Sequence, residues 1–215
     1  MTDIKLLLEG YQRFHENNFQ ENKDTFQDLA KLGQFPKTLM IACSDSRVDP
    51  SIITDSKPGE IFVIRNVANL VPPCEESNEG YHGTSAALEF AVKNLNVENI
   101  IVMGHSGCAG IEALINLDIG KNKDSFIDKW VRIAHKAESQ SRLLAQSKEE
   151  TCKICEKESI IVSLENIITF PWIKEKVDSG DLKLFGWHFT INDGSLRVYD
   201  FNNGGEWAEV TRGKK

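Results

Sequence analysis

Long apolar runs are missing from this 215-residue chain, and no stretch approaches the roughly 20 residues that a membrane-spanning helix needs. A surplus of positive charge is missing too. Lys and Arg number 25 against 32 Asp and Glu, giving a formal net charge of −7 and a pI near 5.3. No Lys/Arg run stands out, so the basic face that a nucleic-acid binder needs to displace counterions is absent from the sequence. The N-terminus offers an apolar run only three leucines long (Leu6 to Leu8) with acidic flanks, which is not the plan of a secretory leader. Cysteine is scarce and odd in number: Cys43, Cys74, Cys108, Cys152 and Cys155. Scattered thiols without a leader do not make a disulfide framework. They read as reduced thiols or metal ligands in a reducing compartment, most simply a cytoplasmic one. Repeats and low-complexity segments are lacking as well. What is left is ordinary: 40% apolar and 27% charged residues, expected to form one soluble domain, 1–215, with a substantial core.

Apolar spacing divides the chain. Leu7, Leu8, Tyr11 and Phe14, then Phe26, Leu29, Ala30 and Leu32, predict two amphipathic helices over residues 1–33, ended by Pro36. Three short, nearly continuous apolar runs follow: Thr38–Ala42, Ile61–Ile64, and Ile100–Met103, the last stopped by Gly104. Such runs suit strands buried on both faces, as in a parallel sheet. Between the second and third, Ala87, Leu88, Ala91 and Leu95 keep helical spacing behind Thr84 or Ser85 as an N-cap. Strand, helix, strand describes a βαβ crossover. The chain then reads as helical from Gly110 to about Ser147, and again over 156–178 with an interruption at Pro171. Leu182–Trp187 and Leu196–Tyr199 are strand-like around the turn signal Asn192-Asp193-Gly194, and residues 212–215 are expected to fray. The expected class is α/β: a mainly parallel central sheet with flanking helices, an antiparallel C-terminal edge hairpin and an N-terminal helical arm.

Two polar clusters follow two of the buried runs: Cys43-Ser44-Asp45-Ser46-Arg47 and His105-Ser106-Gly107-Cys108. In open α/β sheets, sites form beyond the carboxyl ends of the strands. If the two strands are neighbours, a pair of thiolates meets an imidazole there, a donor set that suits zinc. A structural zinc site closes with four protein ligands, whereas a catalytic one keeps three and a water. Cys74 is the candidate for closing this one, but it belongs to a different, Pro- and Glu-rich loop, and the open form is favoured. Asp45 and Arg47 are alternate residues of an extended loop and project to one side. A carboxylate beside zinc must stay ionised and off the metal, and a forked Arg achieves both.

Cys43-Ser44-Asp45-Ser46-Arg47-Val48 and His105-Ser106-Gly107-Cys108-Ala109-Gly110 resemble the zinc motifs of the β-class carbonic anhydrases. Pro58-Gly59-Glu60, Arg65 to Pro73, Tyr81 to Val92, and Cys155-Glu156-Lys157-Glu158 extend the likeness to the plant-type branch, from about Gln34 to Tyr199. The resemblance implies reversible hydration of carbon dioxide to bicarbonate and a proton by zinc-bound hydroxide. It implies one Zn2+ per subunit on Cys43, His105 and Cys108, and Asp45 and Arg47 as the catalytic dyad. In the family, the aspartate matching Asp45 also serves as a fourth ligand in an inactive state, which the matching arginine opposes. The family builds its pocket across a subunit interface, so the chain is expected to be a homodimer or higher homo-oligomer, with residues 1–33 packing on a partner subunit. Gln34, Phe62, Phe90 and Gly107 match substrate-pocket positions. Phe90 stands where the plant-type pattern has tyrosine, so a hydroxyl is missing. A second, inhibitory bicarbonate site known in another branch needs Trp, Arg and Tyr. Arg65 is kept, but Met40 and Phe189 replace the others, and no such site is expected. Because two thiolates weaken zinc as a Lewis acid, activity is expected to favour alkaline pH.

Other residues carry plainer readings. Arg65 reads as an ion-pair or hydrogen-bonding residue. Cys152 and Cys155 lie in a helical stretch with no further Cys or His nearby and read as structural. His15, His82, His135 and His188 read as surface or packing residues, with His82 a candidate proton relay. Two competing functions share these features: a hydrolase of carbon disulfide or another heterocumulene, and a non-catalytic structural zinc or thiol protein.

Overall fold

The computed structural model describes residues 3–75, 81–117 and 125–211; the expected fraying of 212–215 and part of the helical reading after Gly110 lie outside them. The N-terminal arm is three helices rather than two: α1 Ile4–Glu16, α2 Asn18–Glu21 and α3 Lys23–Leu32. Asparagines cause the breaks. Asn17 Nδ2 donates to the Arg13 carbonyl at 2.8 Å and Asn22 Nδ2 to that of Asn18 at 2.9 Å, each beside the backbone N–H of the same residue, so the side chains cap the helix ends locally. No residue of α1 or α3 is buried; Leu7, Leu8 and Tyr11 face outward.

The body is a six-stranded sheet in the order β2-β1-β3-β4-β5-β6. Its strands and the intervening helices run β1 Thr38–Cys43, α4 Pro50–Thr54, β2 Ile61–Asn66, α5 Gly83–Glu89, β3 Asn99–His105, α6 Ala109–Ile115, α7 Phe126–Val131, α8 His135–Leu144, α9 Lys148–Ile167, α10 Pro171–Asp178, β4 Lys183–Phe189, β5 Leu196–Asp200 and β6 Trp207–Glu209. The first four in spatial order are parallel; β5 and β6 are antiparallel to their neighbours. β1 and β3 are buried throughout except at their first residues, as continuous apolar runs require. Leu39, Ile41, Ile100 and Val102 face the main core under α9, with Ile160, Leu164 and Ile167. Met40, Ala42, Ile101 and Met103 face the other side.

Several boundaries differ from the sequence reading. β3 continues through Gly104 to His105, because Gly104 keeps its place in the ladder opposite His188. β2 and β3 are a crossover pair but not neighbours; β1 lies between them. α5 starts one residue before Thr84, and neither Thr84 nor Ser85 caps it. α9 begins at Lys148, not at 156. Ser147 Oγ accepts from the Glu150 amide at 3.1 Å and Glu150 Oε2 accepts from the Gln146 amide at 2.8 Å, a reciprocal cap that was present in the sequence as Ser-x-x-Glu. The stretch after Gly110 is broken at Asn116 and again by a 3-10 turn at Arg132–Ala134. The C-terminal hairpin is present, but β6 holds the sheet edge, reached through Gly204 and Gly205, both at positive φ.

The sheet and α9 meet at two glycines. A Cβ on Gly186 would lie 2.7 Å from Ile160 Cγ2, and one on Gly104 would lie 2.8 Å from Ile160 Cδ1. Gly186→Ala and Gly104→Ala are each expected to cost about 1–3 kcal/mol, measured by urea unfolding at one protein concentration. Adding Ile160→Val, which removes Cδ1 but keeps Cγ2, should relieve Gly104→Ala and leave Gly186→Ala largely unrelieved.

Candidate metal centre

Adjacency of β1 and β3 decides where the chemistry falls. Cys43 ends β1 and His105 ends β3, so both emerge at the same sheet edge. The chain then turns through Ser106 and Gly107 (φ +66°) and presents Cys108 at the start of α6. All three side chains are buried, His105 to 1% exposure. Their ligand atoms lie within 4.8 Å of one another, and no fourth Cys, His, Asp or Glu joins them among the described residues. Cys74 is exposed, in another loop.

The distances suit a tetrahedral divalent ion. Cys43 Sγ and Cys108 Sγ are 3.9 Å apart. A disulfide needs about 2.05 Å, whereas two sulfurs on tetrahedral zinc, each about 2.3 Å from the metal, are separated by roughly 3.8 Å. His105 Nδ1 lies 3.0 Å from the Ser106 carbonyl, so Nδ1–H donates there and the lone pair is left on Nε2. That Nε2 is buried and makes no hydrogen bond. An orphaned buried nitrogen facing two sulfurs is what a ligand set lacks until a cation joins it.

Electrostatics agree. Donation from Cys108, opposed by burial and helped by His105, holds the Cys43 thiol well below its ordinary value. The same bond, with burial, pushes the Cys108 thiol up. Burial disfavours protonated His105, but Cys43, the Ser106 carbonyl and Asp45 outweigh it and raise its pKa. The trio therefore competes for protons when no cation is bound, and a divalent ion displaces them.

Asp45 and Arg47 form the expected fork. Arg47 donates from its backbone N and Nε to Oδ1 at 3.0 and 2.9 Å, and from Nη2 to Oδ2 at 2.7 Å. These bonds hold the Asp45 carboxyl far below the usual carboxylate range. Oδ2 is 3.9 Å from His105 Nε2, so a fixed anion stands at the edge of the trio without belonging to it. Arg65 brackets the same loop from β2. Nε donates to the Cys43 carbonyl at 3.0 Å, Nη2 to the Asp45 carbonyl at 2.7 Å and Nη1 to Asp49 Oδ2 at 2.9 Å. Its guanidinium is thus committed to positioning Cys43 and Asp45.

The pocket residues are placed differently. Gly107 is in the ligand turn, but its N–H is taken by Glu156 and its carbonyl by Arg47; a side chain there would project into open space. Phe62 stacks near Phe90 with ring centroids 5.9 Å apart, and Phe90 is 44% exposed. Phe62 pairs with Leu39, whereas Cys43 pairs with Asn66, so the phenylalanines lie four residues, roughly 13 Å, back along the strands. Gln34 is exposed on the connection entering β1, at the end opposite Cys43. Cys152 and Cys155 are unbridged in α9. His188, read as surface or packing, is buried against Glu156. The sequence held a signal for it: β4 alternates, with Leu184, Gly186 and His188 all inward, and a histidine on an inward face needs a polar partner.

Metal analysis of purified protein is expected to give one equivalent per chain, falling below about a tenth in Cys43→Ala or His105→Ala. Acidification should release the ion as the imidazole and thiols regain protons.

A carbonic anhydrase family model matches residues 38–196. Beta carbonic anhydrase 5, chloroplastic, of Arabidopsis thaliana is 41% identical over 211 residues, covering 97% of this chain and 67% of that protein. Among solved structures, the β-carbonic anhydrase CcaA shares 33% identity at a TM-score of 0.86, covering 97% of this chain and 92% of its own. A structure of tetrameric β-carbonic anhydrases from Sordaria macrospora shares 27% identity at a TM-score of 0.75, covering 94% and 98%. Sequence and fold comparisons reach the same family over nearly the whole length, and the chain belongs to the β-carbonic anhydrases, a family of carbonate dehydratases.

Proposed function

We propose that this protein is a zinc enzyme that interconverts carbon dioxide and bicarbonate, with Cys43, His105 and Cys108 as the ligands of one ion per subunit. The observation that carries the reading is the open trio: two sulfurs 3.9 Å apart, an unpartnered His105 Nε2 and no fourth protein ligand among the described residues. Zinc bound there would supply a Lewis acid that makes a coordinated water acidic enough to serve as the nucleophile. The chain's own residues do the rest. The Ser106 carbonyl fixes the His105 tautomer. Asp45 Oδ2, held by Arg47 and 3.9 Å from His105 Nε2, is placed at the mouth of the trio where it would accept a hydrogen bond from a coordinated water and orient it. The same fork would keep Asp45 from turning onto a bound metal as a fourth ligand.

The substrate pocket is completed by a second copy of the chain. Gln34, Phe62 and Phe90 lie too far from their own trio to wall it, yet Gln34 and Phe90 are exposed. The arm also carries outward apolar side chains, Ile4, Leu7, Leu8 and Tyr11, which a partner subunit would cover. The described thiols are all free, which supports a reducing compartment such as the cytoplasm.

Stopped-flow hydration of carbon dioxide by zinc-loaded protein tests the reading. The rate is expected to rise from pH 7 to 9, because a donor set with two thiolates leaves zinc a weaker acid catalyst. Asp45→Asn should keep its metal and lose roughly 10²-fold in turnover. No hydration at pH 9, or turnover of carbon disulfide instead, overturns the assignment. Pocket sharing has its own check. Cys43→Ala and Gln34→Ala subunits, each nearly inactive alone, should regain about a quarter of wild-type activity when co-expressed in equal amounts, since half the pairs then hold one intact site.

A further inference from the structure

We propose that Glu156 is a positioning residue that sets the metal-ligand turn from behind, through the backbone amide of Gly107. The inference rests on the metal reading above. Glu156 lies on α9 and is 5% exposed, the only buried carboxylate among the described residues. A carboxylate is expensive to bury unless each oxygen has a donor. Oε1 accepts from the Gly107 N–H at 2.7 Å. Oε2 lies 3.4 Å from His188 Nε2, a longer contact from an imidazole that is itself buried and whose Nδ1 has no partner. His188 is held edge-on against Trp207, with ring centroids 6.4 Å apart. The short bond to Gly107 is the dominant one, and His188 backs the second oxygen.

The turn needs that bond. His105 and Cys108 are its two ends, and between them the backbone passes through the left-handed region at Gly107. Ser106 is tied to the β4–β5 connection: its N–H donates to the Phe189 carbonyl at 3.0 Å and its Oγ accepts from Ile191 N at 2.9 Å. Gly107 has no side chain to anchor it. A surface cavity of about 380 Å³ bordered by Gly107, Cys108, Glu112, Cys152 and Glu156 opens on the α9 side, so apolar packing does not hold the glycine there. Its N–H is fixed by Glu156 and its carbonyl by Arg47 Nη2 at 3.2 Å. One hydrogen-bonded line thus runs from β4 through His188, Glu156, Gly107 and Arg47 to Asp45, linking the sheet to the dyad across the ligand turn. The family motif Cys155-Glu156-Lys157-Glu158 acquires a physical role from this placement.

Acceptor reach, rather than charge, is the property the geometry asks for. Glu156→Gln keeps an oxygen at the same length, while Glu156→Asp keeps the charge and withdraws it by one methylene. Both variants, with wild type, would be loaded with cobalt(II) in place of zinc, and read by thiolate–cobalt absorption bands and by the rate of metal loss to a chelator. Glu156→Gln is expected to match wild-type bands and to lose metal within twofold of its rate. Glu156→Asp should show shifted bands and lose metal about tenfold faster or more, with hydration kcat/KM falling in the same order. Should Glu156→Asp not fold, Glu156→Met, which fills the space without an acceptor, carries the same expectation. The proposal is overturned if Glu156→Asp behaves as wild type, or if Glu156→Gln is as impaired as Glu156→Asp. Wild-type protein without thiolate–cobalt bands would overturn the metal reading itself, and with it this one.

Discussion

Two buried sulfurs 3.9 Å apart cannot both carry a full negative charge without a cation between them. Repulsion between unit charges at that separation is about 4 kcal/mol even at an effective dielectric near 20. Alone, the pair shares a proton, which is why Cys43 is drawn down and Cys108 pushed up. A divalent ion held by Cys43, Cys108 and His105 would remove the conflict, its charge balanced by the two thiolates and the otherwise unpartnered His105 Nε2 lone pair donated to it. The same neutralisation sets the character of the chemistry, because an ion whose charge is cancelled by its ligands acidifies water less than one bound by neutral imidazoles. Site geometry and the alkaline bias of the proposed activity follow from one donor set.

That donor set exists only because β1 and β3 pair in parallel and end together. Their fully apolar interiors leave no polar group to spare, so chemistry begins where the strands stop. Around the trio, Cys43 and Cys108 pack with Val48, Ala68 and Leu70, and hydrogen bonds to backbone hold the loops as well. Arg65 ties the carbonyls of Cys43 and Asp45, Arg47 reaches Gly107, and Ser106 is clipped to the C-terminal end of β4 and the connection that follows it. Planar guanidinium groups suit this work, since each offers several donors in a rigid fork. A site required to keep three ligands within a few tenths of an ångström of their places needs such a second layer.

The dyad, the parallel strands and the two halves of the trio are legible in the sequence because each is local: an apolar run followed at once by Cys-x-Asp-x-Arg or His-x-x-Cys, two halves that the pairing of β1 and β3 then joins. The start of α9 is equally local, in Ser147-x-x-Glu150, but apolar spacing does not reach it because its first turns carry Lys, Glu and Thr. The arm was read as two helices because hydrophobic spacing does not register that Asn17 and Asn22 divert their side chains to nearby carbonyls. β6 is three residues long and too short for alternation to be seen. Glu156 and His188 are 32 positions apart; nothing in either neighbourhood names the other, and only the packing of α9 on β4 makes them a pair.

The placement of Gln34, Phe62 and Phe90 bears on why the chain should not act alone. Gln34 precedes β1, Phe62 lies near the start of β2 and Phe90, just after α5, packs beside Phe62, whereas the trio sits beyond the carboxyl ends of β1 and β3, so a single chain holds the two parts of its proposed pocket at opposite ends of the sheet. No side-chain movement spans that gap. A two-fold pairing of copies, in which one chain's entry end covers the other's exit end, would join them without distortion, and symmetry would then make both pockets whole at once. Each site would then depend on assembly. The outward leucines of α1 supply apolar area to drive it, at roughly 25 cal/mol for each Å² removed from water.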